Sequence, residues 1–266
     1  MWCSGNTSVS KTEDEGSIPS TCAKKGNRMR LVTFGCSITH GQGLKDTWPL
    51  TDHFPGDDHW LYHKFPKPSV YAWPQVLADK IDCVVDNLGD PGASPKQIAH
   101  TVLQYNFEPN DIAIVMWSYP TRTCIISDFD KNAQRNIGDN KLLQMGTWYL
   151  RIDKKITNKH YLERVAKSKI YYENIYDDTD ANISFAKDIL FTYQYLNSLN
   201  VKNYHIVPKD EYRFKYKWYN IDKLLSFNVQ DIRMQYPKAL DNQHPDEQAQ
   251  QAIAEAIYNE IVNDVT

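Results

Sequence analysis

Two short stretches carry residue types that can do acyl-transfer chemistry. The first is Gly35-Cys36-Ser37-Ile38-Thr39, directly after the apolar run Leu31-Val32-Thr33-Phe34. An apolar strand that stops at a Gly-x-Ser turn lifts a hydroxyl to the end of a sheet. The N–H groups that open the next helix then surround that hydroxyl. Ser37 is therefore the candidate nucleophile. The second stretch is Asp241-Asn242-Gln243-His244-Pro245. An Asp three residues ahead of a His can hold the imidazole in one tautomer and stabilise its cation. The other ring nitrogen is then free to take a proton from a serine hydroxyl. D-x-x-H is common by chance, and a helix-capping Asp beside a surface His produces it too. Its weight comes from position: it follows the last expected strand, so in a parallel sheet it falls at the same carboxyl edge as Ser37.

The elements that must position these residues are legible in outline. A helix is expected over residues 69–80, with Val70, Trp73, Val76 and Leu77 on one face. A second strand is expected over 81–85, then the turn Asn87-Leu88-Gly89-Asp90-Pro91-Gly92, then a helix over 95–105. Asp111 to Trp117 is an almost wholly apolar run and reads as a central parallel strand buried on both faces. A helix over 183–199 and a strand over 201–207 follow. The terminal helix is expected over 245–262, with Pro245 at its first position and Ala249, Ile253, Ile257 and Ile261 as its buried stripe. Strands alternating with helices at this spacing make a three-layer α/β fold, a doubly wound parallel sheet with loop and helix insertions. The insertions are residues 46–68 and 208–235, both aromatic, and a stretch over 125–180 with no clear pattern. Residues 1–28 show no periodicity and are expected to form a disordered N-terminal extension, with 29–266 as the folded domain.

Composition bounds the function. The 266 residues are 41% hydrophobic and 24% charged, an ordinary globular balance, and the net charge of −3 leaves no basic footprint for nucleic acid or an anionic membrane. No run reaches the length of a membrane span, and the N-terminus has no charged-then-apolar signal pattern. The five cysteines form no CxxC pair, and His53, His59 and His63 match no compact metal motif. No metal or other cofactor is expected. The setting that follows is cytoplasmic, or the host cytoplasm or a virion for a viral chain. The 17 Tyr and 7 Trp offer stacking surface for sugars as well as packing.

Taken together, Gly35-Cys36-Ser37-Ile38-Thr39, Asn87-Leu88-Gly89-Asp90-Pro91-Gly92 and Asp241-Asn242-Gln243-His244 resemble, in type and order, the motif blocks of the SGNH, or GDSL-like, hydrolases of flavodoxin-like fold. The form FGCSxTxGxGL also resembles SGNH-like proteins of phage and marine viral genomes. The resemblance implies Ser37 as nucleophile, His244 as general base and Asp241 as its orienter. It also implies the backbone N–H groups of Ser37 and Gly92 as oxyanion-hole donors. Two positions depart from the pattern. Cys36 stands where the family has Asp. The strand end Met116-Trp117-Ser118-Tyr119-Pro120-Thr121-Arg122 lacks the Gly-x-Asn whose side chain completes the hole. Ser118 is the expected substitute donor, with Arg122 reaching in as the alternative; otherwise activity is weak or lost. Trp117 and Arg122 are the expected substrate-binding residues at that strand end. The reaction implied is hydrolysis of a small acyl ester, such as an acetyl ester on a carbohydrate, through a Ser-His-Asp triad. Two other readings stand beside it: a catalytically silent module of the same fold that binds a glycan or assembles into a particle, and a nucleotide-binding flavodoxin-like domain, disfavoured by the lack of a phosphate loop.

Overall fold

The computed structural model describes residues 29–47, 67–127, 135–137, 140–147, 159–212 and 221–265. The expected disordered extension over 1–28 and most of the aromatic insertions, including His53, His59 and His63, lie outside the described residues. A parallel sheet carries the fold. It is built from β1 (Arg30–Gly35), β2 (Val84–Gly89), β3 (Asp111–Met116) and β7 (Lys202–Ile206), in the order β2-β1-β3-β7. Side chains alternate across it. Val32, Phe34, Ala113, Val115 and Trp117 face one layer, packed against α3 (Pro95–Gln104) and α5 (Asp178–Ser198). Leu31, Ile112, Ile114, Met116, Tyr204 and Ile206 face the other, packed against α2 (Trp73–Lys80) and α7 (Glu247–Val265). Every residue of β3 is buried, which is why its sequence is apolar without alternation.

The chain crosses from β1 to β2 on one side and returns past β1 to β3 on the other. The order therefore reverses between β1 and β3, which makes their carboxyl ends the topological switch point. The four-residue helix α1 (Ser37–His40) starts at that point.

Two element boundaries differ from expectation, each for a local reason. The second strand begins at Val84 rather than at residue 81. Asp82 takes a left-handed φ of 50°, and the N–H groups of Ile81 and Cys83 still close the end of α2 on Leu77 and Ala78. The strand then runs on through Asp86-Asn87-Leu88-Gly89, polar because it is the sheet's edge and pairs only with β1 among the described strands. The terminal helix begins at Glu247 rather than at Pro245. Pro245 forms an isolated antiparallel bridge with Lys238, and Asp246 caps the helix by accepting from the Ala249 N–H at 2.9 Å.

The stretch without a clear pattern holds a second sheet, antiparallel and small: β4 (Thr123–Ser127), β5 (Arg135–Ile137) and β6 (Asn140–Met145), in the order β4-β6-β5. Helix α4 (Lys159–Asn174) follows it. A further short helix, α6 (Val229–Met234), lies within the insertion after β7. Among the described residues no helix is long and apolar enough to cross a membrane.

Candidate active site

Ser37 occupies the first position of α1, with Cys36 as the extended residue before it, and is 5% exposed. The glycines around it are required by close approach. A Cβ on Gly35 would lie 2.1 Å from Thr39 Oγ1, and one on Gly89 would lie 2.5 Å from the His40 backbone nitrogen. The absence of both lets α1 sit directly on the ends of β1 and β2. Asn87 locks that arrangement: its Nδ2 donates to the Thr39 carbonyl at 2.7 Å, and its Oδ1 accepts from the Gly89 N–H at 2.9 Å. The Asn of the middle block is thus a fastener for the helix that carries Ser37.

The Asp241–His244 turn is built locally. Asp241 Oδ1 accepts from the N–H groups of Gln243 and His244 at 2.9 and 3.0 Å, with Asn242 in the left-handed region between them. Asp241 Oδ2 is left for His244 Nδ1, with which it makes a short contact. A carboxylate only accepts, so Nδ1 carries a proton, and in the neutral ring it is Nε2 that has the lone pair. The Asp241 side chain is wholly buried. Burial pushes its carboxyl up, but the hydrogen bond and charge of His244, with the two backbone N–H groups, outweigh this and hold it below the usual value.

This turn is tied to the loop that follows Ser37. The Leu240 N–H donates to the Gly43 carbonyl at 3.0 Å, and a Cβ on Gly43 (φ 88°) would strike the Asp241 carboxylate at 2.6 Å. From α7, Gln250 Nε2 donates to the Ile38 carbonyl at 3.2 Å, while its Oε1 accepts from the Trp73 N–H. The two motifs, about 200 residues apart in sequence, therefore share one edge of the sheet, as the parallel topology requires. Among the described residues Ser37 Oγ has no hydrogen-bond partner, and none links it to His244.

Gly92 sits at φ 82° in the turn after β2. Among the described residues the N–H groups of Ser37 and Gly92 both lack an acceptor. At the end of β3, Ser118 is 1% exposed and its hydroxyl has no partner among the described residues.

The other two expected residues of that strand end are placed elsewhere. Trp117 is a correction: it is 1% exposed, its ring packs edge-on against Phe185, and its indole N–H donates to His205 Nδ1 at 3.1 Å. The alternation of β3 turns it into the layer under α5, so it has no surface for a substrate. Arg122 lies over the Tyr119 ring and lines a cavity of about 400 Å³ with Lys96, Tyr171 and Asp188. Neither Ser37, Gly92 nor His244 lines that cavity. Among the described residues no cluster of His, Cys, Asp and Glu could hold a metal ion.

The residue that sequence reasoning missed is Gln144, on β6. It is 8% exposed and reaches over the turn carrying Gly92. No local signal marks it, because its position depends on the antiparallel pairing of Gln144 with Cys124.

No protein-family model matches the chain, and a search of the curated proteins finds no match. Solved structures do match. An acetyl xylan esterase from the rumen bacterium Butyrivibrio proteoclasticus is 13% identical, with a TM-score of 0.50, over 89% of this chain and 64% of its own. This chain therefore spans under two thirds of that esterase. A protein named as a lipolytic member of the G-D-S-L family from Desulfitobacterium hafniense is 12% identical over 87% of this chain and 98% of its own, with a TM-score of 0.46. One from Veillonella parvula is 13% identical over 88% and 98%, with a TM-score of 0.41. At these identities the likeness is one of fold: the chain shares the α/β fold of that esterase.

Proposed function

We propose that the protein is a serine esterase that removes a small acyl group, such as acetyl, from a carbohydrate. The observation that carries this reading is the Asp241–His244 pair. Its carboxylate is satisfied by three donors, its ring presents Nε2, and its turn is bonded to the loop that follows Ser37. Ser37 Oγ attacks the ester carbonyl while His244 Nε2 takes its proton. Asp241 keeps the imidazole in that tautomer and stabilises the cation it becomes. The N–H groups of Ser37 and Gly92 receive the oxyanion, each worth about 3 kcal/mol to the transition state. His244 returns the proton to the leaving alcohol, and water then releases the acid from Ser37 by the same steps in reverse. A carbohydrate substrate is supported by the fold shared with an acetyl xylan esterase and by the aromatic insertions.

One observation favours the second reading, a silent glycan-binding module of this fold. The strand end Met116-Trp117-Ser118-Tyr119-Pro120-Thr121-Arg122 holds no Asn to complete an oxyanion hole, and Trp117 there is buried away from any substrate. A fluorophosphonate probe separates the two. The esterase carries the adduct on Ser37 and loses both labelling and p-nitrophenyl acetate turnover in Ser37→Ala and His244→Ala. A folded protein that neither labels nor turns over ester at neutral pH refutes the esterase and leaves the module.

A further inference from the structure

We propose that Gln144 is a positioning residue for the oxyanion hole, which makes the inserted small sheet part of the catalytic apparatus; this rests on the esterase reading above. Gln144 Nε2 donates to Gln97 Oε1 at 2.9 Å and, with its second hydrogen, toward the Pro91 carbonyl and Asp90 Oδ2, each at 3.4 Å. Gln97 Nε2 in turn donates to Asp90 Oδ2 through a short contact. Gln144 Oε1 lies over Gly92, 3.0 Å from where a Cβ on that residue would stand. The two glutamine amides thus grip the turn from Asp90 to Gly92 on one side.

The consequence follows from peptide planarity. The Pro91 carbonyl and the Gly92 N–H belong to one trans peptide unit, in which C=O and N–H point in opposite directions. Holding the Pro91 oxygen toward Gln144 aims the Gly92 N–H away from it. Gly92 has φ 82°, a conformation that glycine adopts without strain, and a flip of the Pro91–Gly92 peptide is the motion that would lose the donor. The glycine allows the turn, and the amide of Gln144 selects one orientation of it. Gln144 reaches this place from β6, whose register sets it opposite Cys124. It touches the turn and not the substrate.

Gln144→Met keeps the length of the side chain and removes both donors. With the full chain, p-nitrophenyl acetate as substrate and a fluorophosphonate probe, kcat and the labelling rate of Ser37 should fall together by about 10- to 100-fold, less than loss of a donor itself costs. KM should stay within about threefold, because the ground-state ester does not use the oxyanion contact. A merely structural role would lower the melting temperature without this split. Gln144→Glu, which also loses the donors, is read in the same way where Gln144→Met does not fold. Unchanged kcat and labelling in a folded variant of an active wild type overturn this inference alone. A wild type that neither labels nor turns over overturns the esterase reading and this inference with it.

Discussion

Gly43→Ala tests whether Asp241 orients the base from the position it occupies. Gly43 has φ 88°, and an added methyl would stand 2.6 Å from Asp241 Cγ and Oδ2. Normal carbon contact is about 3.5 Å, so the carboxylate must retreat by about 0.9 Å or the loop must open. The left-handed backbone adds a cost of about 1 kcal/mol for alanine. Asp241 is buried and holds three donors, so it cannot swing aside without releasing the His244 ring. A misplacement near 1 Å costs about 100-fold in rate. The expected result is therefore a kcat for p-nitrophenyl acetate about 100-fold down, KM little changed, and a stability loss of about 1–2 kcal/mol by urea titration. The effect must run through Asp241, so Gly43→Ala combined with Asp241→Ala should be no slower than Asp241→Ala alone. A folded Gly43→Ala protein within about threefold of wild-type kcat would refute the reasoning, as would additive losses in the double variant.

Two other outcomes are expected. His205 is fully buried, donates from Nε2 to Asn203 and accepts from Trp117, and burial lowers its pKa to about 3. Unfolded, it titrates near its ordinary value of about 6.5, so its contribution to stability is present above that pH and withdrawn as pH falls toward the folded value. That loss is about 2 kcal/mol by pH 5, and His205→Gln should flatten the pH slope of stability by about one proton between pH 6 and 4; an unchanged slope sinks the assignment. Asn87→Ala releases the Thr39 carbonyl and the Gly89 N–H, and should cost about 1–2 kcal/mol in urea unfolding together with a loss of esterase rate, because α1 carries Ser37. Full activity in that variant would show that the fastener is dispensable.

Much of the candidate site was legible because its parts are local. Gly35-Cys36-Ser37 follows a run apolar enough to be a buried strand. The Asp241–His244 contact closes within three residues, so its spacing announces it. The two share an edge because every described strand of the main sheet is parallel, a property that alternating strands and helices impose. Asn87 and Gly89 were visible as a block, but not their task of seating α1. Trp117 was misread because an aromatic at a strand end can face either a site or a core, and only the layer above β3 decides between them. The antiparallel sheet over 123–145 escaped notice because its three short strands lie in a polar insertion, where no helix-strand alternation flags them.

By itself, then, the sequence determined the parallel scaffold, the serine at its switch point and the histidine with its carboxylate, since each depends on short-range pattern and strand order. Tertiary structure alone decided what surrounds the Gly92 turn. Gln144 is 52 residues from Gly92, and its grip on Pro91 exists only through the pairing of β4 with β6. A contact between residues so far apart leaves no periodicity or spacing to read, because its geometry is set by the packing of elements and not by the chain that joins them.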